Sequence, residues 1–238
     1  MLRTWPDYES LSHAVAALIV ERAARALRER GSFGLTLAGG STPRRAYELL
    51  AGPACARRID WRRVHVFWGD ERCVPPDDPR SNYGMANAAL LSRVPIPAAN
   101  VHRIRGELPA AEAAAEYDRV LRAIWGAAPP AFELVLLGLG DDGHTASLFP
   151  HDPALRESQC WAAAVRRPGD PVARVTLTPP ALNGARAVAF IVSGASKAAM
   201  LRAVREGPPD AGLPAQAIAP TRGELLWLVD AAAHAGGA

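Results

Sequence analysis

The chain has 238 residues, of which 49% are apolar and 21% charged, and its formal net charge is +3. This length and apolar fraction predict one large α/β domain spanning residues 1–238, with an ample core; two small domains are the alternative. The small positive charge suits an anionic small molecule, but it is not gathered into a basic block, so we expect no nucleic-acid partner.

Hydrophobic periodicity predicts that helices and strands alternate along the chain. The predicted helices are 11–31, 43–52, 81–91, 113–126, 179–184 and 194–207. The predicted strands are 33–38, 64–68, 101–104, 132–137, 172–177, 188–192 and 225–229. Residues 151–171 are less regular, and 231–238 are expected to fray. Strands alternating with helices throughout predict an α/β fold whose mostly parallel sheet is covered on both faces.

The three cysteines lie far apart and form no C-x-x-C pair. This spacing argues for reduced thiols and against a zinc ribbon or a disulfide framework. The N-terminus shows no charged-then-apolar leader, and no apolar segment approaches the length that spans a bilayer. We therefore expect a soluble, cytoplasmic protein without a membrane partner.

The stretch 132–150, FELVLLGLGDDGHTASLFP, is the strongest site candidate. Its apolar run is typical of a strand buried on both faces, and it breaks into glycines, two acids and His144. Residues 145–148 would then form the first helical turn. Open α/β sheets bind ligands where parallel strands end.

The glycines also satisfy G-x-G-x-x-G, the pattern of a dinucleotide-binding turn, but the two acids would repel a pyrophosphate and no acid-ended strand follows at the required distance. We expect no nucleotide cofactor.

Three further strand ends carry polar groups, at 39–42, 70–72 and 196–197. The Gly-Gly-Ser-Thr-Pro turn places Thr42 to cap the next helix and Pro43 at its first position. Such a turn is either a phosphate site in form or a plain capped turn. The charges at 70–72 are equally compatible with a solvated loop. If the strands are parallel, all four loops lie along one edge of the sheet.

His144 and Asp142 are the candidate acid/base pair, because a neighbouring carboxylate fixes the tautomer of a histidine and raises its basicity. The alternative is an ordinary loop histidine. A metal cluster of Asp70, Asp142 and His144 is a further alternative, but no H-x-x-x-H or similar ligand spacing supports it. The absence of G-x-S-x-G argues against a serine hydrolase.

Six motifs together resemble the 6-phosphogluconolactonase family, in its order and spacing and over nearly the whole chain. They are LAGGSTP (37–43), FWGDERCVP (67–75), SNYGMA (81–86), GLGDDGHTASLFP (138–150), RVTLTPPALN (174–183) and SGASKA (193–198). The resemblance implies a three-layer α/β/α sandwich, shared with glucosamine-6-phosphate deaminase and ribose-5-phosphate isomerase. It also implies hydrolysis of 6-phosphogluconolactone to 6-phosphogluconate in the oxidative pentose phosphate pathway, without a required cofactor.

The resemblance also implies residue roles. His144 would be the general base on water, and Asp142 would orient it. The residues expected to bind the substrate are Gly40, Ser41, Thr42, Asp70, Arg72 and Lys197. Among them, Asp70 would contact sugar hydroxyls and the others the phosphate. The expected partner is a small sugar phosphate lactone. The oligomeric state stays open between a monomer and a small homo-oligomer.

Two rival functions share this fold. The related deaminase/isomerase places a glutamate five residues after the histidine, to help open the sugar ring. Here that position is Phe149, which favours hydrolysis. The second rival is a sugar-phosphate-sensing effector domain of a transcription regulator. Such proteins normally append a basic helix-turn-helix domain, for which the chain has no room, and intact His144 and Asp142 favour catalysis.

Overall fold

The computed structural model describes residues 1–167, 169–209 and 211–235. The strands are β1 (Leu2–Trp5), β2 (Phe33–Leu37), β3 (Val64–Trp68), β4 (Asp70–Arg72), β5 (Leu134–Leu137), β6 (Ala162–Arg166), β7 (Ala173–Leu177), β8 (Ala187–Val192) and β9 (Glu224–Asp230). The α-helices are α1 (Tyr8–Glu29), α2 (Arg44–Ala51), α3 (Pro53–Ala56), α4 (Asn82–Ala89), α5 (Ala110–Trp125), α6 (Pro179–Asn183), α7 (Ala198–Glu206) and α8 (Ala231–His234). Short 3₁₀ turns are Trp61–Arg63, Leu91–Arg93, Ala98–Asn100, Pro153–Arg156, Ala195–Lys197 and Pro214–Ala217.

The main sheet has six strands in the order β1-β9-β8-β5-β2-β3. Each neighbouring pair is parallel. Every residue of β5 and β8 is buried, as expected for central strands covered by helices on both faces. The predicted fold class, an α/β/α sandwich with a mostly parallel sheet, is confirmed.

A second, three-stranded sheet in the order β4-β7-β6 is antiparallel. Gly69 joins the two sheets. Its N–H donates to the carbonyl of Leu37 in β2 (3.0 Å), and its own carbonyl accepts from the N–H of Leu177 in β7 (2.8 Å). The chain therefore leaves β3 of the main sheet and enters β4 of the small one within a single residue. Residues 70–72, which were compatible with a solvated loop, form that strand.

Several predicted elements differ from the structure. Residues 101–104 contribute only one bridge, between Val101 and Val66 of β3. The chain then turns away, and Gly106 lies too close to the carbonyls of the 72–74 segment for a side chain to fit. Strands β1, β4 and β6 and helix α3 were not predicted. The turn 231–234, predicted to fray, is helical, while 236–238 lie outside the described residues.

Residues 145–148 form a tight turn and not the predicted first turn of a helix. A bridge joins Thr145 to Leu148, and Ala146 adopts a positive φ of 47° that a right-handed helix excludes. The side chains of this turn also bond outward: the Thr145 hydroxyl donates to the carbonyl of Gly138 (2.9 Å). The segment after His144 is therefore anchored to the end of β5. Among the described residues, no helix combines the length and apolar character needed to traverse a bilayer.

Candidate active site

A cavity of about 300 Å³ opens where β8, β5, β2 and β3 end. The predicted site residues that line it are Gly40, Ser41, Thr42, Asp70, Arg72, His144 and Lys197. The four predicted loops thus meet along one edge of the sheet, because the strands that carry them are parallel neighbours. Asp142 stands outside this lining and contacts His144. Asn82, Ser193 and Arg174 also line the cavity and were not predicted as site residues.

His144 is held in one orientation by the carboxylate of Asp142. Oδ1 of Asp142 forms a short hydrogen bond with Nδ1 of the ring and also accepts from the backbone N–H of His144 (3.1 Å). The ring lies directly over Gly140, where a Cβ would overlap it. Gly143 supplies the turn between the acid and the histidine, with a φ of 78° that favours glycine. The glycines of GLGDDGH therefore serve the placement of this imidazole.

The Asp142 carboxylate determines which ring nitrogen of His144 carries the proton. Partial burial works against the charge of Asp142, but the hydrogen bonds from the His144 ring and backbone outweigh it and hold the pKa of that carboxyl below its ordinary value. The ionised carboxylate can only accept a hydrogen bond, so the neutral ring carries its proton on Nδ1. Nε2 then has a free lone pair. The His144 side chain is 20% exposed, which leaves it accessible from the cavity.

Asp70 connects the cavity wall to the loop that carries His144. Its side chain accepts a hydrogen bond from Ser147 Oγ (2.6 Å) and one from Asn82 Nδ2 (3.2 Å), and all three residues are buried. The Asn82 side chain occupies the space where a Cβ of residue 39 would lie, so Gly39 permits this close approach. Asn82 belongs to the SNYGMA motif, but its contact with Asp70 could not be read from the sequence.

Glu71 faces away from the cavity and fixes helix α4. Its carboxylate accepts from the backbone N–H groups of Asn82 and Tyr83, both at 2.7 Å, and from Ser81 Oγ at 3.1 Å. Burial raises the pKa of Glu71 against the effect of these bonds. The acidic pair at 70–71 is thus divided between the two faces of β4: one acid lines the cavity, and the other holds a helix start.

The predicted phosphate turn differs in detail from the expected capped helix. Helix α2 begins at Arg44 after Pro43 as its N-cap, and no side chain among the described residues caps it, so the prediction that Thr42 caps this helix is wrong. Gly40 lines the cavity and has a φ of 84°, which favours glycine. The Tyr8 hydroxyl lies 3.2 Å from the carbonyl oxygen of Ser41 and 3.1 Å from that of Thr42. These carbonyls are therefore directed away from the cavity.

The two predicted cations, Arg72 and Lys197, come from different loops that line the cavity, and each has a partner in the protein. Lys197 Nζ pairs with Asp141 Oδ1 at 2.6 Å, and the Asp141 side chain is 81% exposed. Arg72 Nη1 donates to the carbonyl of Arg80 at 2.7 Å. Within the described ranges, no group of three or more His, Cys, Asp or Glu side chains is arranged to hold a metal ion.

The family model described as glucosamine-6-phosphate isomerases/6-phosphogluconolactonase matches residues 6–227. The chain belongs to this family. A 6-phosphogluconolactonase of Nostoc sp. is 43% identical over 97% of the chain and 95% of its own length, and the human 6-phosphogluconolactonase is 42% identical over 98% and 92%.

Solved structures of the family agree with this assignment. A 6-phosphogluconolactonase from Trypanosoma brucei superposes with a TM-score of 0.87 at 30% identity, covering 100% of the chain and 98% of that structure. A monomeric glucosamine-6-phosphate deaminase superposes with a TM-score of 0.83 over 99% of both chains. Because it is only 19% identical, it shows the shared fold alone. The predicted family is confirmed.

Proposed function

We propose that this chain hydrolyses 6-phospho-D-glucono-1,5-lactone to 6-phosphogluconate in the oxidative pentose phosphate pathway, with His144 as the general base on water. The observation that carries the proposal is the His144–Asp142 pair at a cavity that Arg72 and Lys197 also line. The predicted enzyme itself, a 6-phosphogluconolactonase, is confirmed by curated relatives of that name with 42–44% identity over 89–98% of the chain.

The proposed reaction begins with a water held by Nε2 of His144. As the water attacks C1 of the lactone, Nε2 takes its proton, and the carbonyl oxygen becomes an oxyanion. When the bond from C1 to the ring oxygen breaks, His144 returns the proton to that oxygen, which becomes a sugar hydroxyl. Asp142 stabilises the imidazolium in between. The Gly140 N–H already donates to the carbonyl of His144 (2.8 Å), so we assign the oxyanion to other backbone N–H groups of the glycine turns that line the cavity.

The proposed phosphate contacts come from Arg72, Lys197 and the turn of Gly40, Ser41 and Thr42. A phosphate can bind a positive side chain through charge-assisted hydrogen bonds. Binding of the phosphate by Lys197 would break its ion pair with Asp141. Because the Asp141 side chain is exposed, breaking this pair costs little free energy.

The rival isomerase chemistry is disfavoured by Phe149. This residue is 2% exposed, and its ring centroid lies 5.0 Å from that of His144. An apolar ring therefore occupies the position where a second proton carrier is expected in the isomerase.

We also propose one domain over 1–238, because β1 and β9, from opposite ends of the chain, are paired neighbours. A cytoplasmic location is supported by Cys55, Cys73 and Cys160, all free thiols. We propose neither a nucleic-acid nor a membrane partner.

The test is a coupled assay that detects 6-phosphogluconate from freshly made lactone, with and without the protein. Because lactones also open spontaneously, the readout is the rate above the uncatalysed background. We expect this excess rate to scale with protein concentration. A rate equal to the background would refute the proposed function.

A further inference from the structure

Arg174 lies directly opposite Arg72 in the small antiparallel sheet. The two residues are register partners in β7 and β4. Residues that face each other across an antiparallel pair have side chains on the same face of the sheet. Both arginines line the cavity. The small sheet therefore presents two guanidinium groups to the site, of which only one was predicted.

Neither guanidinium is fully satisfied. The Nε atoms of Arg72 and Arg174 are both buried and have no hydrogen-bond partner among the described residues. Arg174 is 8% exposed, and its Nη2 donates to Asp170 at 2.8 Å. A buried donor without a partner costs free energy, and like charges directly opposite each other are also unfavourable. An anion between the two side chains would remove both penalties.

Phe149 fixes Arg174 near the proposed base. The guanidinium carbon of Arg174 lies 5.5 Å from the centroid of the Phe149 ring, and the His144 ring contacts the same phenyl group. An aromatic face holds a guanidinium without using its N–H groups. Arg174 is thus positioned by packing and by Asp170, and its Nε remains available for a ligand.

We propose that Arg174 joins Arg72 in the phosphate subsite, and that Arg174 determines specificity for a phosphorylated substrate. This inference rests on the proposed lactone hydrolysis for the identity of the substrate. A phosphate dianion matches two adjacent guanidinium groups in charge, and its oxygens can accept from both Nε atoms. A role at the C1 oxyanion is the competing assignment, and it predicts different kinetics.

The test compares Arg174→Gln with Arg166→Gln, a matched control at an exposed arginine of neighbouring β6. We expect Arg174→Gln to raise KM for the phosphorylated lactone about ten- to a hundredfold, the range for a charge-assisted hydrogen bond, with kcat little changed. The kinetics of Arg174→Gln on unphosphorylated gluconolactone should match those of the wild type. The control Arg166→Gln should have the kcat and KM of the wild type. An equal fall of kcat on both lactones would assign Arg174 to the oxyanion and overturn the phosphate role.

Calorimetric binding of 6-phosphogluconate and gluconate separates this inference from the proposed function. If the wild type shows no lactonase activity, the function fails, but weaker binding of 6-phosphogluconate by Arg174→Gln still supports the subsite. If a folded Arg174→Gln protein binds 6-phosphogluconate as the wild type does, the subsite is wrong while the function stands. Should the glutamine variant not fold, Arg174→Lys keeps the charge and loses the planar fork. An unchanged KM in Arg174→Lys would overturn the inference.

Discussion

Replacement of His144 by alanine tests the centre of the proposed mechanism. The change removes Nε2 of His144, the proposed proton acceptor, whose ring is oriented by Asp142. It leaves the proposed phosphate contacts, which lie on other loops, intact. A general base contributes about 10²–10⁴ in rate, which corresponds to about 2.7–5.4 kcal/mol of transition-state stabilisation. We therefore expect kcat to fall by that factor and KM to stay within about threefold of wild type.

The effect on stability should be small by comparison. The His144 side chain bonds to a carboxylate that is 40% exposed, so its loss should cost about 1 kcal/mol or less of unfolding free energy. A thermal unfolding curve close to wild type would show that the loss of rate is chemical. His13→Ala, at an exposed histidine of α1, is the matched control and should change neither rate nor stability.

The companion variant Asp142→Asn separates orientation from proton transfer. The amide keeps the size of the side chain but lacks the charge that holds the Nδ1–H tautomer. We therefore expect kcat to fall less than in His144→Ala. If the other tautomer dominates in this variant, the fall in kcat should approach that of His144→Ala. A His144→Ala protein that retains a near wild-type rate would refute the mechanism and make Asp70 the next candidate for the base.

Three further predictions follow from other parts of the molecule. Arg72→Gln and Lys197→Gln should each raise KM for the phosphorylated lactone by roughly tenfold or more. The control Arg62→Gln, at an exposed arginine, should leave KM unchanged. If the wild type had equal kcat/KM on the phosphorylated and unphosphorylated lactones, the phosphate assignment would be wrong. Activity should survive exhaustive chelation, and a loss restored by one specific metal would revive the cluster of Asp70, Asp142 and His144. Burial and the neighbouring His65 lower the pKa of His102 from 6.5 to about 4. Between pH 6.5 and about 4 this histidine therefore binds a proton in the unfolded chain but not in the folded one. The free energy of unfolding should accordingly fall as the pH drops through this range. Chemical denaturation of His102→Gln across this range should show a flatter pH dependence, and an unchanged slope would exclude His102 as its source.

The main sheet was predictable because burial leaves a strong pattern in the sequence. Strands β5 and β8 are short apolar runs, and β3 is apolar except for His65. The turns after all three contain glycine, so both the strands and the edge where the loops meet follow from local sequence. Strand β4 is only Asp-Glu-Arg and has no hydrophobic signal. Its strand conformation depends on pairing with β7, about a hundred residues later in the chain, which no local pattern reports.

The same limit explains which site residues were missed. His144 and Asp142 are two residues apart, so their pairing can be read from the sequence. The contact of Asn82 with Asp70, and the register of Arg174 opposite Arg72, depend on how distant segments pack. Alternation along 173–177 places Arg174 and Thr176 on one face of β7, but the sequence does not say what that face meets.

Asp70 shows why a structural contact does not exclude a role toward the substrate. Its hydrogen bonds to Ser147 and Asn82 join the His144 loop and helix α4 to the small sheet, and each uses one carboxylate oxygen. A carboxylate oxygen has two lone pairs, so each oxygen keeps one acceptor position. Asp70 lines the cavity, and a sugar hydroxyl can donate to that position without breaking either bond. The predicted contact with sugar hydroxyls is therefore compatible with the bonds that join the His144 loop and helix α4 to the small sheet. Removal of the Asp70 carboxylate should accordingly affect both the placement of His144 and the binding of the sugar.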